Sequence, residues 1–104
     1  MAGRDGAAPQ WVLYVVNGRC IHRLDRRCQP VAQAPLPVAE PYNSFVVLDN
    51  GLIVTKNLSQ TTVAHIRVLD TQTLQAVAPD VLLLEPSVAR LSALGNTVCA
   101  VEWA

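Results

Sequence analysis

The sequence predicts an all-β protein made of short antiparallel strands, and three observations lead to that class. Apolar and polar residues alternate with a period of two rather than 3.6 over most of the chain. Turn-forming pairs such as Asn17-Gly18 and Asn50-Gly51 separate the alternating segments. The segments, about nine of them, recur at spacings of roughly eight to twelve residues, which is typical of a sandwich, a barrel or a propeller.

The first elements are a hairpin and a third strand, preceded by residues 1–10, whose Gly, Ala and Pro content predicts flexibility. The aromatic and β-branched segment WVLYVV (11–16) favours a strand. RCIHRL (19–24) alternates and is expected to pair back across the Asn-Gly turn. CQPVAQA (28–34) is predicted as a short third strand. Pro30 within it predicts a sheet edge, because proline has no N–H for the ladder.

The middle of the chain is predicted to hold four strands, which lie at 44–48, 52–58, 63–69 and 74–78. The first of them, SFVVL, is a nearly continuous apolar run, as expected of a strand buried on both faces. Lys56, in the second strand, is expected to be solvated. The segments 35–43, which contains three prolines, and 79–86 are predicted as connections.

A last hairpin is predicted from SVARLSAL (87–94) and TVCAVEW (97–103), which flank the turn Gly95-Asn96. Apolar residues at 88, 91 and 94 would also suit a helix capped by Gly95. The β-branched neighbours and a similar hairpin about 45 residues upstream favour the strand interpretation.

The chain shows an internal periodicity when it is shifted on itself by about 45 residues. Strands, turns and connections then coincide, and matching residues include the pairs Ile21/Ile66, Leu24/Leu69, Asp25/Asp70, Glu40/Glu85 and Pro41/Pro86. A period of this length with four short strands is typical of one blade of a β-propeller.

On this register the chain is predicted to be an incomplete propeller of antiparallel four-stranded blades. Residues 11–34 supply the end of one blade, 44–78 a complete blade, and 87–103 the start of the next. A propeller closes with about four to eight blades, and each blade is covered only by its neighbours. The chain is therefore expected to be a fragment of a longer propeller, or a unit that pairs with copies of itself.

Two segments carry a resemblance to a known family. IRVLDTQTL (66–74) and, in part, IHRLDRRC (21–28) resemble the element that closes the third strand and starts the outer strand in bacterial quinoprotein-like and lactonase-like β-propeller repeat proteins. The resemblance covers residues 11–103 and implies the propeller fold. The WD and Gly-His pairs of WD-type propellers, and the Gly-rich tryptophan-docking consensus of quinone-cofactor propellers, are absent from the sequence.

Ligands of propellers usually meet the rim that carries the connections into the inner strands, here 39–43 and 84–87. Glu40 and Glu85 would occupy equivalent points on this rim, where acids could hold a cation or a substrate. Alternatively, each Glu-Pro pair only shapes its turn, because a residue before proline is extended.

Three further residues complete the candidate ligand site. Tyr42 has an apolar body with a polar tip, which suits either a site mouth or packing between blades. Asn43 is expected to bind a ligand or to cap the inner strand. Arg90, on a predicted inner strand, would point into the channel and would need Glu85 or Glu40 as its acid partner.

No catalytic residue, metal site or cofactor is predicted. The serines lack a Gly-x-Ser-x-Gly context, and the sequence has no phosphate-binding Gly loop. The three cysteines and two histidines are not spaced as zinc ligands. An odd cysteine count without a secretory leader favours a reducing compartment such as the cytoplasm.

Composition narrows the expected partners. Hydrophobic residues make up 51% and charged residues 15% of the chain, which predicts a folded domain with apolar surface for a partner. Net charge is zero, and the arginines of 19–27 are interpreted as a solvated hairpin rather than a nucleic-acid site. No apolar run approaches the length of about 18 residues that a membrane span needs.

The sequence therefore predicts a non-catalytic propeller segment that acts as a scaffold for a small ligand or a protein on its rim. Its partners would be the remaining blades of a longer chain or copies of itself. The alternative is a part of a propeller enzyme, a lactonase-like or quinoprotein-like hydrolase or oxidoreductase, whose site is completed by blades outside this chain.

Overall fold

A computed structural model describes residues 12–17, 19–37 and 43–101, and the prediction of an all-β chain is confirmed. The described residues form strands and turns, and they include no helix long and apolar enough to cross a membrane. The strands are β1 (Leu13–Val16), β2 (Cys20–Leu24), β3 (Pro30–Pro35), β4 (Asn43–Val47), β5 (Leu52–Asn57), β6 (Val63–Asp70), β7 (Val81–Pro86), β8 (Arg90–Leu94) and β9 (Thr97–Val101).

The strands form three antiparallel sheets in chain order. An N-terminal sheet has the order β1-β2-β3, a central sheet has the order β4-β5-β6-β7, and β8 and β9 form a C-terminal hairpin. Every hydrogen-bonded neighbour is also the neighbour in sequence, as expected where short turns join successive strands. The interpretation of 87–95 as a helix is therefore wrong.

The fourth strand of the central sheet lies further along the chain than the sequence predicts. Segment 74–78 makes only a Leu69–Ala76 bridge and a bond from Val77 N–H to the Val68 carbonyl, 3.0 Å. The regular partner of β6 is β7, which falls in the segment predicted as a connection. The register shifts between the Leu69–Ala76 bridge and the Ile66–Val81 pair, so the outer segment 74–80 bulges around Pro79, which has no N–H to donate to the ladder. A second register shift lies within β7, between Leu82 and Pro86.

Two turns with the same design lead into the outer strands of the N-terminal and central sheets. The Asp25 carboxylate accepts the N–H groups of Arg27 and Gln29 at 2.8 and 3.0 Å. The Asp70 carboxylate accepts those of Gln72 and Thr73, also at 2.8 and 3.0 Å. Backbone hydrogen bonds, the main cause, hold the pKa of both carboxyls below the usual range.

Each of these turns also contains a residue other than glycine in the left-handed region, Cys28 or Leu74, both with φ of 59°. The Asp70 turn is one residue longer. The Asp25 N–H bonds to the Gln29 carbonyl and the Asp70 N–H to the Gln75 carbonyl, both at 2.9 Å. Leu74 is only 1% exposed, so its side chain enters the core despite this backbone conformation.

The main hydrophobic core lies between the N-terminal and central sheets. Its buried members are Ile21, Ala34, Leu36, Ile53, Leu69 and Leu74, with Tyr14, Val16, Ala32 and Phe45 packed against them. The Tyr14 hydroxyl also donates to the Thr71 carbonyl at 2.8 Å. Apolar contact and hydrogen bonding thus join the first two sheets.

The C-terminal hairpin packs on the other face of the central sheet. Ser44 and Lys56 lie opposite each other on that face, whereas Phe45 and Thr55 lie on the core face. The Leu91 N–H donates to the Ser44 hydroxyl at 3.0 Å. The sheets are stacked in a row, and the molecule measures 52 × 26 × 24 Å.

Candidate functional site

The sequence-predicted rim residues are only partly within the described structure. Glu40 and Tyr42 lie outside the described residues. Asn43 is the first residue of β4 and lies opposite Asn57. Its side-chain amide donates to the Asn17 carbonyl at 3.4 Å, so it links the start of the central sheet to the first hairpin.

The structure does not bring Glu85 and Arg90 together. Glu85 is an exposed residue of β7, and Arg90 is the exposed first residue of β8, opposite Val101. No ion pair joins these two side chains, both of which the structure describes. Both side chains are exposed and therefore accessible to a ligand.

The most buried cationic side chain of the described structure is Lys56, which the sequence predicts to be solvated, and that prediction is wrong. Lys56 is 1% exposed. Its Nζ donates to the carbonyls of Ala89, Ser87 and Asn57 at 2.8, 3.0 and 3.2 Å. Ser87 and Ala89 belong to the connection between β7 and β8, so Lys56 fixes this connection against the central sheet.

The same corner contains two side chains that replace backbone pairing in the turn from β5 to β6. The side-chain Oδ1 of Asn57 accepts the His65 N–H at 2.7 Å. The Ser59 hydroxyl accepts the N–H groups of Thr61 and Thr62 at 3.1 and 2.9 Å. The Ser59 N–H donates to the Ser87 carbonyl at 3.2 Å, so this turn is also tied to the connection.

A second polar cluster lies at the bulge before β7. Arg67 Nε and Nη2 donate to the two oxygens of Asp80 at 2.8 and 2.7 Å, and His65 Nε2 lies 3.0 Å from Asp80 Oδ2. These side chains are 20–23% exposed. Mainly because of the Arg67 hydrogen bonds, the pKa of Asp80 falls to about 2.

Arg67 also bridges two sheets. Its Nη1 donates to the Pro35 carbonyl at the end of β3, 3.0 Å away. Two polar atoms of the same interface, Thr55 Oγ1 and Arg23 Nε, are buried without a hydrogen-bond partner among the described residues. The interface between the N-terminal and central sheets therefore contains polar contacts in addition to the apolar core.

A shallow surface depression of about 360 Å³ lies along the second half of β7 and is lined by residues 83–87. Leu83 and Leu84 form its apolar part, and Glu85 is its charged residue. Leu84 is 97% exposed. A predicted rim residue, Glu85, thus lies next to a large exposed apolar side chain in this depression.

The described residues contain no group of three or more His, Cys, Asp or Glu placed to hold a metal ion. Their three cysteines are free thiols, of which Cys99 lies 3.0 Å from the Ser92 hydroxyl across the C-terminal hairpin. The Lys56 donors are committed to backbone carbonyls.

Sequence reasoning missed the Lys56 corner and the Asp80 cluster for different reasons. Lys56 lies in the segment LIVTKNL, which begins with an apolar run. Such a run indicates a strand that is buried on both faces, and this signal applies to the lysine as well. Asp80 meets Arg67 in the segment where the register shifts between the Leu69–Ala76 bridge and the Ile66–Val81 pair. That irregularity has no motif in the sequence.

Comparisons of this chain with protein-family models, with curated proteins and with solved structures found no match. The family resemblance implied by 66–74 and 21–28 therefore remains a prediction, and the function is argued from this chain's own geometry.

Proposed function

We propose that this chain is a non-catalytic segment of a β-propeller that acts as a binding scaffold, with its three sheets as successive blades. The observation that carries the proposal is the position of the central sheet. It has four strands, and a neighbouring sheet covers each of its faces. Covering a sheet by its neighbours in chain order is how propeller blades are stabilised.

The strand order of the outer sheets supports the same arrangement. The Asp25 and Asp70 turns precede β3 and the outer chain of the central sheet, respectively. The N-terminal sheet would then contain the second, third and outer strands of a blade. The C-terminal hairpin would contain the inner and second strands of the next.

Exposed apolar side chains support a requirement for further sheets at both ends of the stack. Leu13 and Val15 of β1 are 41% and 40% exposed. Leu94 and Val101 of the C-terminal hairpin are 86% and 69% exposed. Apolar surface of this kind is stabilised when a partner covers it, and the remaining blades of a longer chain or copies of this chain would do so.

The binding role rests on surface residues. Asn43, Glu85 and Arg90 lie at the beginning or end of strands, and with Glu40 and Tyr42 they are the residues proposed to meet a small ligand or a protein. In the alternative, a propeller enzyme, other blades would complete a reactive site. Stoichiometric metal or quinone retained by the purified protein would favour that alternative.

Sedimentation velocity combined with thermal unfolding tests the proposal. We expect the 104-residue chain to self-associate or to unfold over a broad temperature range, because its outer sheets lack neighbours. A monomer at all concentrations that unfolds in one sharp transition would show that the chain is complete by itself, and would contradict the proposal.

A further inference from the structure

The first and the last sheet of the row expose faces of opposite kind. Ile21 and Ile66, which match in the 45-residue period, both point toward the sheet that follows in the chain. Leu24 and Leu69 also match, and Leu69 points toward the sheet that precedes it. Leu24 lies three residues after Ile21 in β2 and therefore on the outer face of the N-terminal sheet. The N-terminal sheet thus exposes the face that a preceding sheet covers, and the C-terminal hairpin exposes the face that a following sheet covers.

Each of these end faces carries exposed apolar side chains. On the N-terminal sheet they are Leu13, Val15 and Val31, which alternate with residues that pack against the core. On the C-terminal hairpin they are Leu94 and Val101, whose cross-strand pairs lie on the face away from the central sheet. Within the ranges that the structure describes, no strand lies over either face. Contact with further apolar surface would stabilise both faces.

The two interfaces inside the molecule show how such faces combine. In each of them, the face of one sheet that points along the chain packs against the face of the next sheet that points back. The exposed faces of the first and last sheets are one of each kind, so a second copy of this chain offers each of them the face that it lacks. Association head to tail continues the internal stacking, whereas contact between two like faces would repeat neither internal interface.

The shape of the molecule and its number of sheets indicate that two copies suffice. β4 contacts β1 on one side and β8 on the other, so the first strands of the three sheets lie side by side. The row is 52 Å long and 26 × 24 Å across, and two copies side by side have an outline of 52 × 52 Å, since twice 26 Å is 52 Å. Together they contain six sheets, three from each copy, and a closed propeller has about four to eight blades.

We propose that two copies of this chain close head to tail into one ring of six sheets. The outer face of each C-terminal hairpin packs against the outer face of the N-terminal sheet of the other copy, so that Leu94 and Val101 meet Leu13 and Val15. The same contact forms twice, about a twofold axis through the centre of the ring. The closed pair rests on the proposed function, because it takes the three sheets as successive blades.

The contact area fits a weak but specific dimer. The smaller face in each contact is that of the C-terminal hairpin, which has two five-residue strands. From the spacing of residues and strands in a sheet, such a face buries on the order of 300 Å². Two contacts with two sides each bury about 1,200 Å² in total, which is near the lower limit for a specific interface. We therefore expect a dissociation constant of roughly micromolar size.

Cross-linking through two native thiols tests which faces meet. Cys20 lies next to Ile21 in β2 and therefore on the outer face of the N-terminal sheet, and Cys99 lies on the outer face of the C-terminal hairpin. Within one copy the central sheet separates them, so they are about 20 Å or more apart, because packed sheets lie about 10 Å from each other. A bismaleimide with a spacer of roughly 10 Å can therefore link Cys20 to Cys99 only between copies.

The cross-linking uses the variant Cys28→Ser, which removes the third thiol of the described residues. We expect covalent dimers whose linked peptides, identified by mass spectrometry, join Cys20 of one copy to Cys99 of the other. Linked peptides that join Cys20 to Cys20 or Cys99 to Cys99 would show contact between like faces and would overturn the ring.

Sedimentation equilibrium of three lysine variants tests the two faces without a cross-linker. Val15→Lys and Leu94→Lys place a charge on one end face each, and Leu84→Lys is the control, since Leu84 is exposed on β7 and lies on neither end face. We expect each end-face variant to weaken the dimer at least about tenfold and the control to leave it unchanged. Weakening by only one of the two end-face variants, or species larger than a dimer in the parent chain, would overturn the closed ring.

The ring and the proposed function can fail separately. A parent chain that stays monomeric but unfolds over a broad temperature range overturns the ring alone, because the remaining blades of a longer chain would then cover both ends. Contact between like faces also overturns the ring alone. A monomer that unfolds in one sharp transition contradicts both the ring and the proposed function.

Discussion

The two faces of the central sheet are held to their neighbours by different physical means. On the face toward the N-terminal sheet, Ile21, Ile53, Leu69 and Leu74 are at most 1% exposed and form one apolar cluster. Burial of such side chains stabilises a fold through the hydrophobic effect, which depends little on direction. This face therefore carries most of the stability of the described structure.

The opposite face depends on directional contacts. Lys56 Nζ donates to three backbone carbonyls, and the Ser44 hydroxyl accepts the Leu91 N–H. Fewer apolar side chains are buried there, among them Val54 at 8% and Ala89 at 5% exposure. A charged donor with several acceptors fixes position more than it adds stability.

The difference teaches that one sheet can draw stability from one face and use the other face to position its neighbour. Apolar residues on one face supply the free energy of folding, whereas hydrogen bonds on the other determine where the next sheet begins. Three substitutions test this division, and they are ordered by the size of their expected effect.

The largest effect is expected from Ile53→Ala on the apolar face. Ile53 is fully buried, so the substitution loses transfer free energy and leaves a cavity. The free energy of unfolding should fall by about 3 kcal/mol in urea titration. Val47→Ala is the matched control, since Val47 lies opposite Ile53 but is 44% exposed, and it should cost less than about 1 kcal/mol.

Similar losses in the two variants would show that the apolar cluster is not the main source of stability. The two faces would then not differ in their contribution to stability as described above.

A smaller effect is expected from Lys56→Met on the polar face. The variant leaves the carbonyls of Asn57, Ser87 and Ala89 without this donor, but it also removes the burial of a charge. The net loss in the free energy of unfolding should be about 2 kcal/mol. Arg90→Met, at an exposed position, is the control and should change stability by less than about 0.5 kcal/mol.

Amide exchange gives the sharper result for Lys56→Met. If Lys56 fixes the next sheet, exchange in 90–101 should accelerate more than exchange in β6. Uniform acceleration across both regions would mean that Lys56 contributes only general stability.

The smallest effect is expected from Asp80→Asn. This variant tests whether the charge of Asp80 contributes to stability on the apolar face. Its folded-state pKa of about 2 lies below the ordinary 3.8, so the ionised form is favoured in the folded chain. This stability is present above about pH 4 and is lost as the pH falls toward 2. Because Asp80 is 22% exposed, solvent screening reduces the contribution to about 1 kcal/mol.

Urea titrations from pH 7 to pH 2 measure that contribution as the difference between the chain and Asp80→Asn. The difference should shrink as the pH falls, and Asp49→Asn, at an exposed position, controls for the general effect of replacing an aspartate by asparagine. A difference independent of pH would attribute the loss to packing instead of charge.

Local patterns in the sequence predicted most of the strands. Alternation and the Asn-Gly, Asp-Asn-Gly and Gly-Asn turns placed eight of the nine strands of the described structure within a few residues. These signals succeed because each hairpin is specified by neighbouring residues. The blade assignment rests on the same periodicity and stays a prediction.

Longer-range features could not be predicted in this way. β7 was missed because its pairing with β6 resumes after a bulge, and the apolar run at 81–84 has no period that separates a strand from a connection. The burial of Lys56 depends on carbonyls 31 and 33 residues away. Of the predicted rim residues, Glu85 and Arg90 do not form the predicted ion pair, and they lie on strands of different sheets.

Leu74 has a consequence for how this chain can change over evolutionary time. Its backbone has a φ of 59°, which glycine adopts most easily, while its side chain is 1% exposed in the core. A change to glycine relaxes the backbone and empties the core, and a β-branched residue keeps some volume but increases the strain. A single substitution at this position therefore either opens the core or increases the backbone strain, so we expect few other residues to be tolerated there.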